Sequence, residues 1–322
     1  MVRVSMIYDQ GEAKFREDGL FVADPYFGVL DGVSAPYGPK VPMRKFGELS
    51  GGEYVARVIE TEVAKISFSC QFNGPFPTTL PLRVFVKNLN WKAGLMQRTI
   101  YPDIGYLDSD QLAGATFAFA RVGEKCVEIA QAGDSFAVWA NKEGKVLGVT
   151  TNQVRGHDTE MNGAIDRILA ETAQDGEFMR SVGAPGPVLW GTSEAVPYVG
   201  KIRGELWNRF ALFLGQERLK DVNSRNPRGY GLMNGQNKLL EVMSYVMIPR
   251  SEVATIVLFT DGMMPWHVMK SKSDLEIGEA VYRIYRQGGL RAVLSAARNA
   301  EDAAKNKSYT NTAEATAVAI EL

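Results

Sequence analysis

Two aspartates, each followed by glycine, stand at the ends of apolar, β-branched runs: Asp31-Gly32 in YFGVLDGVSAP and Asp261-Gly262 in VLFTDGMMP. A carboxylate delivered to the end of a buried strand is costly on its own, so each needs a partner. Two further acidic points punctuate the chain, Glu17-Asp18 in REDGLFV and Asp134 in IAQAGDSFAVW. The chain has only two histidines, His157 and His267, and neither lies in a metal-ligand motif. These carboxylates therefore make a hard-oxygen environment suited to Mg²⁺ or Mn²⁺. Between two such ions about 3.5–4 Å apart, a bridging water can be activated and a phosphoryl group clamped. The glycine after each acid lets the backbone come close, so that a carbonyl such as that of Gly32 can also ligate. Each piece alone has a plainer reading: Asp-Gly is foremost a turn pair, and Glu17-Asp18 a solvated turn.

The elements that must position these acids are legible as patterns. VRVSMIYDQ reads as an opening strand, and DGLFVADPYFGVLDG as two short strands around a turn at Asp24-Pro25, the second carrying Asp31. In EYVARVIETEVAKI, Val55, Val58, Ile59 and Val63 recur at helical spacing, with Ser50 and Glu53 at capping-box spacing. From Gly114 the chain alternates as ATFAFARV, CVEIAQA, SFAVWA and VLGVT, joined by tight Gly-containing turns. Such a meander implies antiparallel pairing and disfavours a doubly wound fold, because parallel strands need long crossovers. Helical patterns follow at DTEMNGAIDRILAETAQ and ELWNRFALFLGQERLKDV, then a helix pair at SDLEIGEAVYRIYRQ and GLRAVLSAARNAEDAAKN, and ATAVAIEL closes the chain as a strand. This order predicts one α+β domain over residues 1–322, antiparallel sheets covered by helices, with no linker or internal repeat.

Composition bounds the function classes. The 36 Lys+Arg nearly cancel the 37 Asp+Glu, so bulk charge points to no nucleic-acid or membrane partner. Cys70 and Cys126 lack CxxC spacing and read as structural thiols over a zinc or redox pair. The N-terminus has no charged-then-apolar signal pattern, and no apolar run approaches the ~20 residues of a membrane span, so a cytoplasmic protein is expected.

In order along the chain, REDGLFV, FGVLDGVS, GATFAFA, IAQAGDSFAVW, IVLFTDGMM and AEATAVAI resemble the motifs of the type 2C (PPM) metal-dependent serine/threonine protein phosphatases, in a bacterial-type form. The resemblance runs from about Glu17 to Ile320 and is carried by the joint order of the motifs. It implies an α-β-β-α sandwich with a centre of two Mn²⁺ or Mg²⁺ ions, and room for a third. On it, Asp31 bridges both metals, the Gly32 carbonyl and Asp261 ligate, and Asp18 with Glu17 holds metal-bound waters. Asp134 lies near the third ion, with Thr116 and Ser135 in support. Asp31, Asp261 and Asp18 are then the catalytic acids, in hydrolysis of phosphoserine or phosphothreonine by an activated water. The implied partners are a phosphorylated protein substrate and a cognate serine/threonine kinase system. Segments around 70–110 and 185–235 read as insertions that set substrate choice.

The chain departs from the family at three points. Ala313 stands where the closing motif has its first, metal-ligating aspartate. Either Glu314, one place along and one methylene longer, reaches the site, or one metal position is weakened. Val33 stands where animal members carry a histidine, one that bacterial members commonly lack too. Ala13 stands where some relatives bind phosphate through arginine, leaving Lys14 and Arg16 as candidates, unless both are solvated. In NPRGYGLMNG, Arg225, Arg228 and Tyr230 are candidates for a substrate-contacting loop, against a plain Gly-rich connection.

Two other readings carry less. A catalytically weak, regulatory phosphoprotein-binding module of the same fold has Ala313 as its signature. An adhesion-type metal domain needs an Asp-x-Ser-x-Ser loop that Asp31 lacks, and a haloacid-dehalogenase enzyme needs an aspartate where Phe259 stands.

Overall fold

The computed structural model describes residues 2–35, 44–71, 80–105, 111–264, 272–305 and 312–322. Cys70 as a side chain, His267, and parts of the loop after Asp31 and of the 70–110 segment lie outside the described residues.

Among the described residues, ten strands form two five-stranded antiparallel sheets. The first runs β1 (Arg3–Asp9), β10 (Ala315–Glu321), β9 (Thr255–Phe259), β6 (Phe136–Ala140), β7 (Val146–Val149). The second runs β2 (Gly19–Ala23), β3 (Tyr26–Val33), β4 (Gly114–Val122), β5 (Cys126–Ala132), β8 (Ser244–Pro249). The helices are α1 (Gly51–Gln71), α2 (Leu82–Ile100), α3 (Arg155–Gln174), α4 (Gly176–Ser181), α5 (Val199–Asp221), the short α6 (Leu239–Val242) and α7 (Asp274–Lys305).

Period-two patterning assigns each strand face to a layer. Phe27, Val29, Ala118, Ala120, Val127 and Ile129 of the second sheet meet Ala137, Ile256, Leu258, Val318 and Ile320 of the first in the core between the sheets. The opposite face of the second sheet, with Leu30, Phe117 and Phe119, receives Val55, Ile59 and Val63 of α1 and Phe85 and Leu89 of α2. Full burial of such side chains contributes roughly 1.5–3 kcal/mol each. The outer face of the first sheet packs Val257, Phe259 and Ala317 against Ile277, Val281 and Val293 of α7. The result is the expected α-β-β-α layering.

Three features differ from or refine the sequence reading. The meander is not one continuous sheet: β4 pairs with β5, but the chain crosses to the other sheet between Ala132 and Phe136, where β6 pairs with β7 and β9. A turn as short as Gly133-Asp134-Ser135 looks like a hairpin in sequence, yet here it joins two layers. The helix pair expected near the C-terminus is present: Asp274–Lys305 consists of two helices that meet at a kink at Gly288-Gly289, where the backbone leaves helical geometry. Between β7 and β8, α3, α4 and α5 build a helical segment with a core of its own, including Leu169, Ala173, Met179, Val188 and Ile202. No helix among the described residues is long and apolar enough to cross a membrane.

Candidate metal centre

The layer between the sheets changes character at one end, and the strand alternation shows how. On β3 the inward series Phe27, Val29 continues to Asp31, and on β4 the series Ala120, Ala118 continues to Thr116, which lies opposite Asp31. On β9, Ile256 and Leu258 lead to Thr260, and on β10, Ile320 and Val318 lead back to Thr316 and Glu314. Apolar side chains thus give way to hydroxyls and carboxylates on both sheets at the same level.

There Asp31, Asp134 and Asp261 each bring a carboxylate oxygen within 4.8 Å of the others. They arrive from three elements: the end of β3, the crossing between the sheets, and the 3-10 turn Asp261–Met263 after β9. Burial raises Asp31 well above the ordinary carboxylate range, and the charges of Asp18, Asp261 and Asp134 add to it. Asp261 is open to solvent but ringed by protein, which raises it too, with Asp134, Asp18 and Asp158 contributing. Asp134 is raised by burial, and its buried Oδ1 has no hydrogen-bond partner. Among the described residues, no Lys or Arg forms an ion pair with any of the three. An orphaned carboxylate oxygen amid mutually repelling acids is the donor set that a divalent cation satisfies.

Asp18 lies beside this group, 4 % exposed, with Oδ2 accepting from Thr260 Oγ1 at 2.8 Å. Burial pushes Asp18 up to about 7 against the opposing hydrogen bonds of Thr316 and Thr260, while the Glu314 and Asp134 charges raise it further. Glu17 is committed elsewhere: its Oε1 accepts from Ser34 Oγ (2.7 Å) and Ser50 Oγ (2.6 Å) at the start of α1. Ser50 Oγ in turn accepts the Glu53 amide at 3.1 Å, as its capping spacing predicts.

The two glycines of the Asp-Gly pairs serve close approach. The Gly32 amide donates to the Glu17 carbonyl at 3.0 Å, and a Cβ on Gly32 would lie 2.6 Å from the Gly52 backbone. The Gly32 carbonyl packs against Gly52. A Cβ on Gly262 would fall 1.6 Å from the Glu314 carbonyl oxygen.

Glu314 places Oε1 on the Tyr8 hydroxyl (2.9 Å) and Oε2 on the amides of Glu17 (2.7 Å) and Asp18 (3.3 Å). It is not brought into the group of three aspartates, and Ala313 is exposed. Of the two phosphate-binding candidates, Lys14 lies with Nζ 5.4 Å from the Phe15 ring centre. The Arg16 guanidinium sits 4.7 Å over the Tyr8 ring and 3.7 Å from Glu60. Thr116 Oγ1 and Ser135 Oγ are 3.0 Å apart, bracing the crossing that carries Asp134.

Asp158, in the first turn of α3, was not singled out by sequence. Burial and the Asp134 charge push it up to about 7. The signal for it was the Asn152 side chain, which accepts the amides of Val154 and Arg155 where α3 begins and so aims that first turn. Within NPRGYGLMNG, Arg228 is spent on Glu217 (2.8 Å), Asp221 and Glu160, and Tyr230 is buried against His157. Arg225 pairs with Glu241 at 3.2 Å on the surface. Arg228 and Tyr230 are therefore engaged within the loop and with the helices beside it.

The sequence matches no protein-family model and no curated protein. Among solved structures, the catalytic domain of the serine threonine protein phosphatase PstP in complex with two manganese ions superposes with a TM-score of 0.51 at 12% identity, over 99% of this chain and 97% of that one. The serine/threonine phosphatase PstP/Ppp of Mycobacterium tuberculosis gives 0.49 at 15% identity over 100% and 98%, and serine-threonine phosphatase 2C from Toxoplasma gondii gives 0.48 at 16% over 99% and 94%. At such identities the likeness concerns architecture. With its two five-stranded antiparallel sheets between helices, matched along the whole chain, the protein has the fold of the bacterial PPM, or type 2C, serine/threonine phosphatases.

Proposed function

We propose that the protein is a Mn²⁺- or Mg²⁺-dependent phosphatase that hydrolyses phosphoserine and phosphothreonine in proteins. The observation that carries this reading is the convergence of Asp31, Asp134 and Asp261 within 4.8 Å, without a cationic partner among the described residues, on this fold. When bound, the ions supply an activated water and neutralise charge on the phosphoryl oxygens. Asp31, Asp134 and Asp261 would hold the ions, Asp134 offering its unpartnered, buried Oδ1. Asp18, oriented by Thr260, would accept hydrogen bonds from water held by the ions. Arg16, kept near the site by the Tyr8 ring, is the candidate for orienting the phosphate. The substrate is a phosphorylated protein supplied by a serine/threonine kinase, encountered in the cytoplasm.

One observation favours a second reading, a regulatory phosphoprotein-binding module: Ala313 supplies no ligand, and both Glu314 oxygens accept hydrogen bonds from protein groups. The experiment is hydrolysis of a phosphothreonine peptide after chelation, then with Mn²⁺ or Mg²⁺ returned, for the parent, Asp31→Asn and Asp261→Asn. Turnover is expected to return with metal and to fall at least about a hundredfold in each variant. Folded parent protein inert at millimolar Mn²⁺, with activity appearing in Ala313→Asp, selects the regulatory reading.

A further inference from the structure

The Glu17-Asp18 peptide belongs to neither sheet, yet both hold it. From the second sheet, the Gly32 amide donates to the Glu17 carbonyl at 3.0 Å. From the first sheet, Thr260 Oγ1 donates to Asp18 Oδ2 at 2.8 Å. Thr260 is itself tied to β10, its amide donating to the Thr316 carbonyl (2.9 Å) and its Oγ1 accepting from the Thr316 amide (3.0 Å). Beside the hold of Ser34 and Ser50 on the Glu17 side chain, the tie to the backbone amides is Glu314, two residues before Thr316, whose carboxylate accepts from the amides of Glu17 and Asp18 and from the Tyr8 hydroxyl.

A carboxylate offers about four acceptor sites, and three of those on Glu314 are committed. Amides adjacent in sequence and directed at one oxygen form a small anion-binding concavity, and here a side chain of the same protein fills it. Withdrawing Glu314 to ligate a metal would leave two half-buried amides without their acceptor, a loss that hydrogen-bonded segments resist.

We infer that Glu314 is a positioning residue: it latches the Glu17-Asp18 peptide to β10 and Tyr8, so that Asp18 is presented beside Asp31 and Asp261, and it does not ligate metal. The inference rests on the proposed function for what Asp18 is presented to.

The test is residue-resolved amide hydrogen exchange on the metal-free full chain, with Mn²⁺ calorimetry and steady-state kinetics, for the parent, Glu314→Ala and Glu314→Gln. In Glu314→Ala, exchange at the Glu17 and Asp18 amides is expected to quicken at least about tenfold while the amides of β4 and β5 keep their protection. Glu314→Gln, which retains one acceptor oxygen, is expected to lie between. The number of Mn²⁺ ions bound should stay at the parent value, and kcat should fall more than KM rises. Unchanged exchange at residues 17 and 18, or loss of one bound Mn²⁺ in both variants, would overturn the inference. Should Glu314→Ala not fold, Glu314→Gln decides by the same two readouts. A chain without phosphatase activity whose 17–18 amides are released in these variants keeps the latch and loses the phosphatase reading.

Discussion

Where α5 ends, Asp221 is fully buried, with His157 Nδ1 at 2.9 Å, Asn226 Nδ2 at 2.8 Å and an Arg228 nitrogen at 3.4 Å. Neighbouring Glu217 is bound by Lys220 at 2.6 Å and Arg228 at 2.8 Å, and is lowered by them. At the end of the inter-sheet layer, Asp18, Asp31, Asp134 and Asp261 are raised, and among the described residues no side-chain cation answers them. Both places bury carboxylates beside the same helix α3, which begins with His157 facing one and Asp158 the other. The difference is who supplies the positive charge. In the first region the chain does so itself, through Arg228 and Lys220; in the second, on the proposed function, a metal ion would supply it.

That contrast can be broken by stability measurements. The largest effect is expected at the self-neutralised region. Asp221→Ala leaves the buried His157 Nδ1 without its partner, while Arg228 keeps Glu217 and Glu160, and should cost about 1–3 kcal/mol in urea unfolding. A variant as stable as the parent would mean that the network is ornamental. At the other region the sign reverses: in the absence of metal, Asp31→Asn should stabilise the fold by at least about 1 kcal/mol, since it removes a repelled, poorly solvated charge. Destabilisation there would show that Asp31 has a neutralising partner already.

The pH dependence sharpens the same point. Asp18 is raised to about 7, so the folded state binds its proton more tightly than the unfolded chain. Its contribution is complete below the ordinary carboxylate pKa and is lost as pH rises through about 7. In chelator, the melting temperature should therefore decline from pH 4 to 7 by several degrees, roughly what one to two kcal/mol produce in a chain of this size. Mn²⁺ should reverse the decline, because it binds only the folded, deprotonated site. An unchanged profile on adding Mn²⁺ would remove the metal from the argument. The smallest effect is at Arg16: Arg16→Ala should raise KM a few-fold, about 1 kcal/mol, and leave kcat nearly unaltered. A fall in kcat alone would place the residue at the reaction step.

Much of this was legible because it is periodic. Phe27, Val29 and Asp31, or Leu258 and Thr260, follow a two-residue rule that carries a polar residue from the core to its rim, and the acids at strand ends announce themselves. The helix α1 was equally plain from Val55, Ile59 and Val63. What escaped depends on distance in the chain. The Gly133–Ser135 turn has hairpin chemistry, and only the pairing of Phe136 with Phe259 shows that it changes sheets. Glu314 meets Glu17 across 297 positions, and its partners are backbone amides, which leave no residue-type trace. Asp158 sits on a helix whose own pattern says nothing of Asp134. Arg228 looked available because its acidic partners, Glu217 and Asp221, belong to a preceding helix.

The glycine of the second Asp-Gly pair carries one more consequence. A methyl group on Gly262 would occupy the space of the Glu314 carbonyl oxygen, so the residue is required by the meeting of two chain segments whatever chemistry its neighbour performs. Asp261 and Gly262 thus answer to different demands: the acid belongs to the carboxylate group between the sheets, the glycine to the fit of two chain segments. A side chain at position 262 would force the segment after β9 away from the segment before β10, and with it the acid that precedes the glycine.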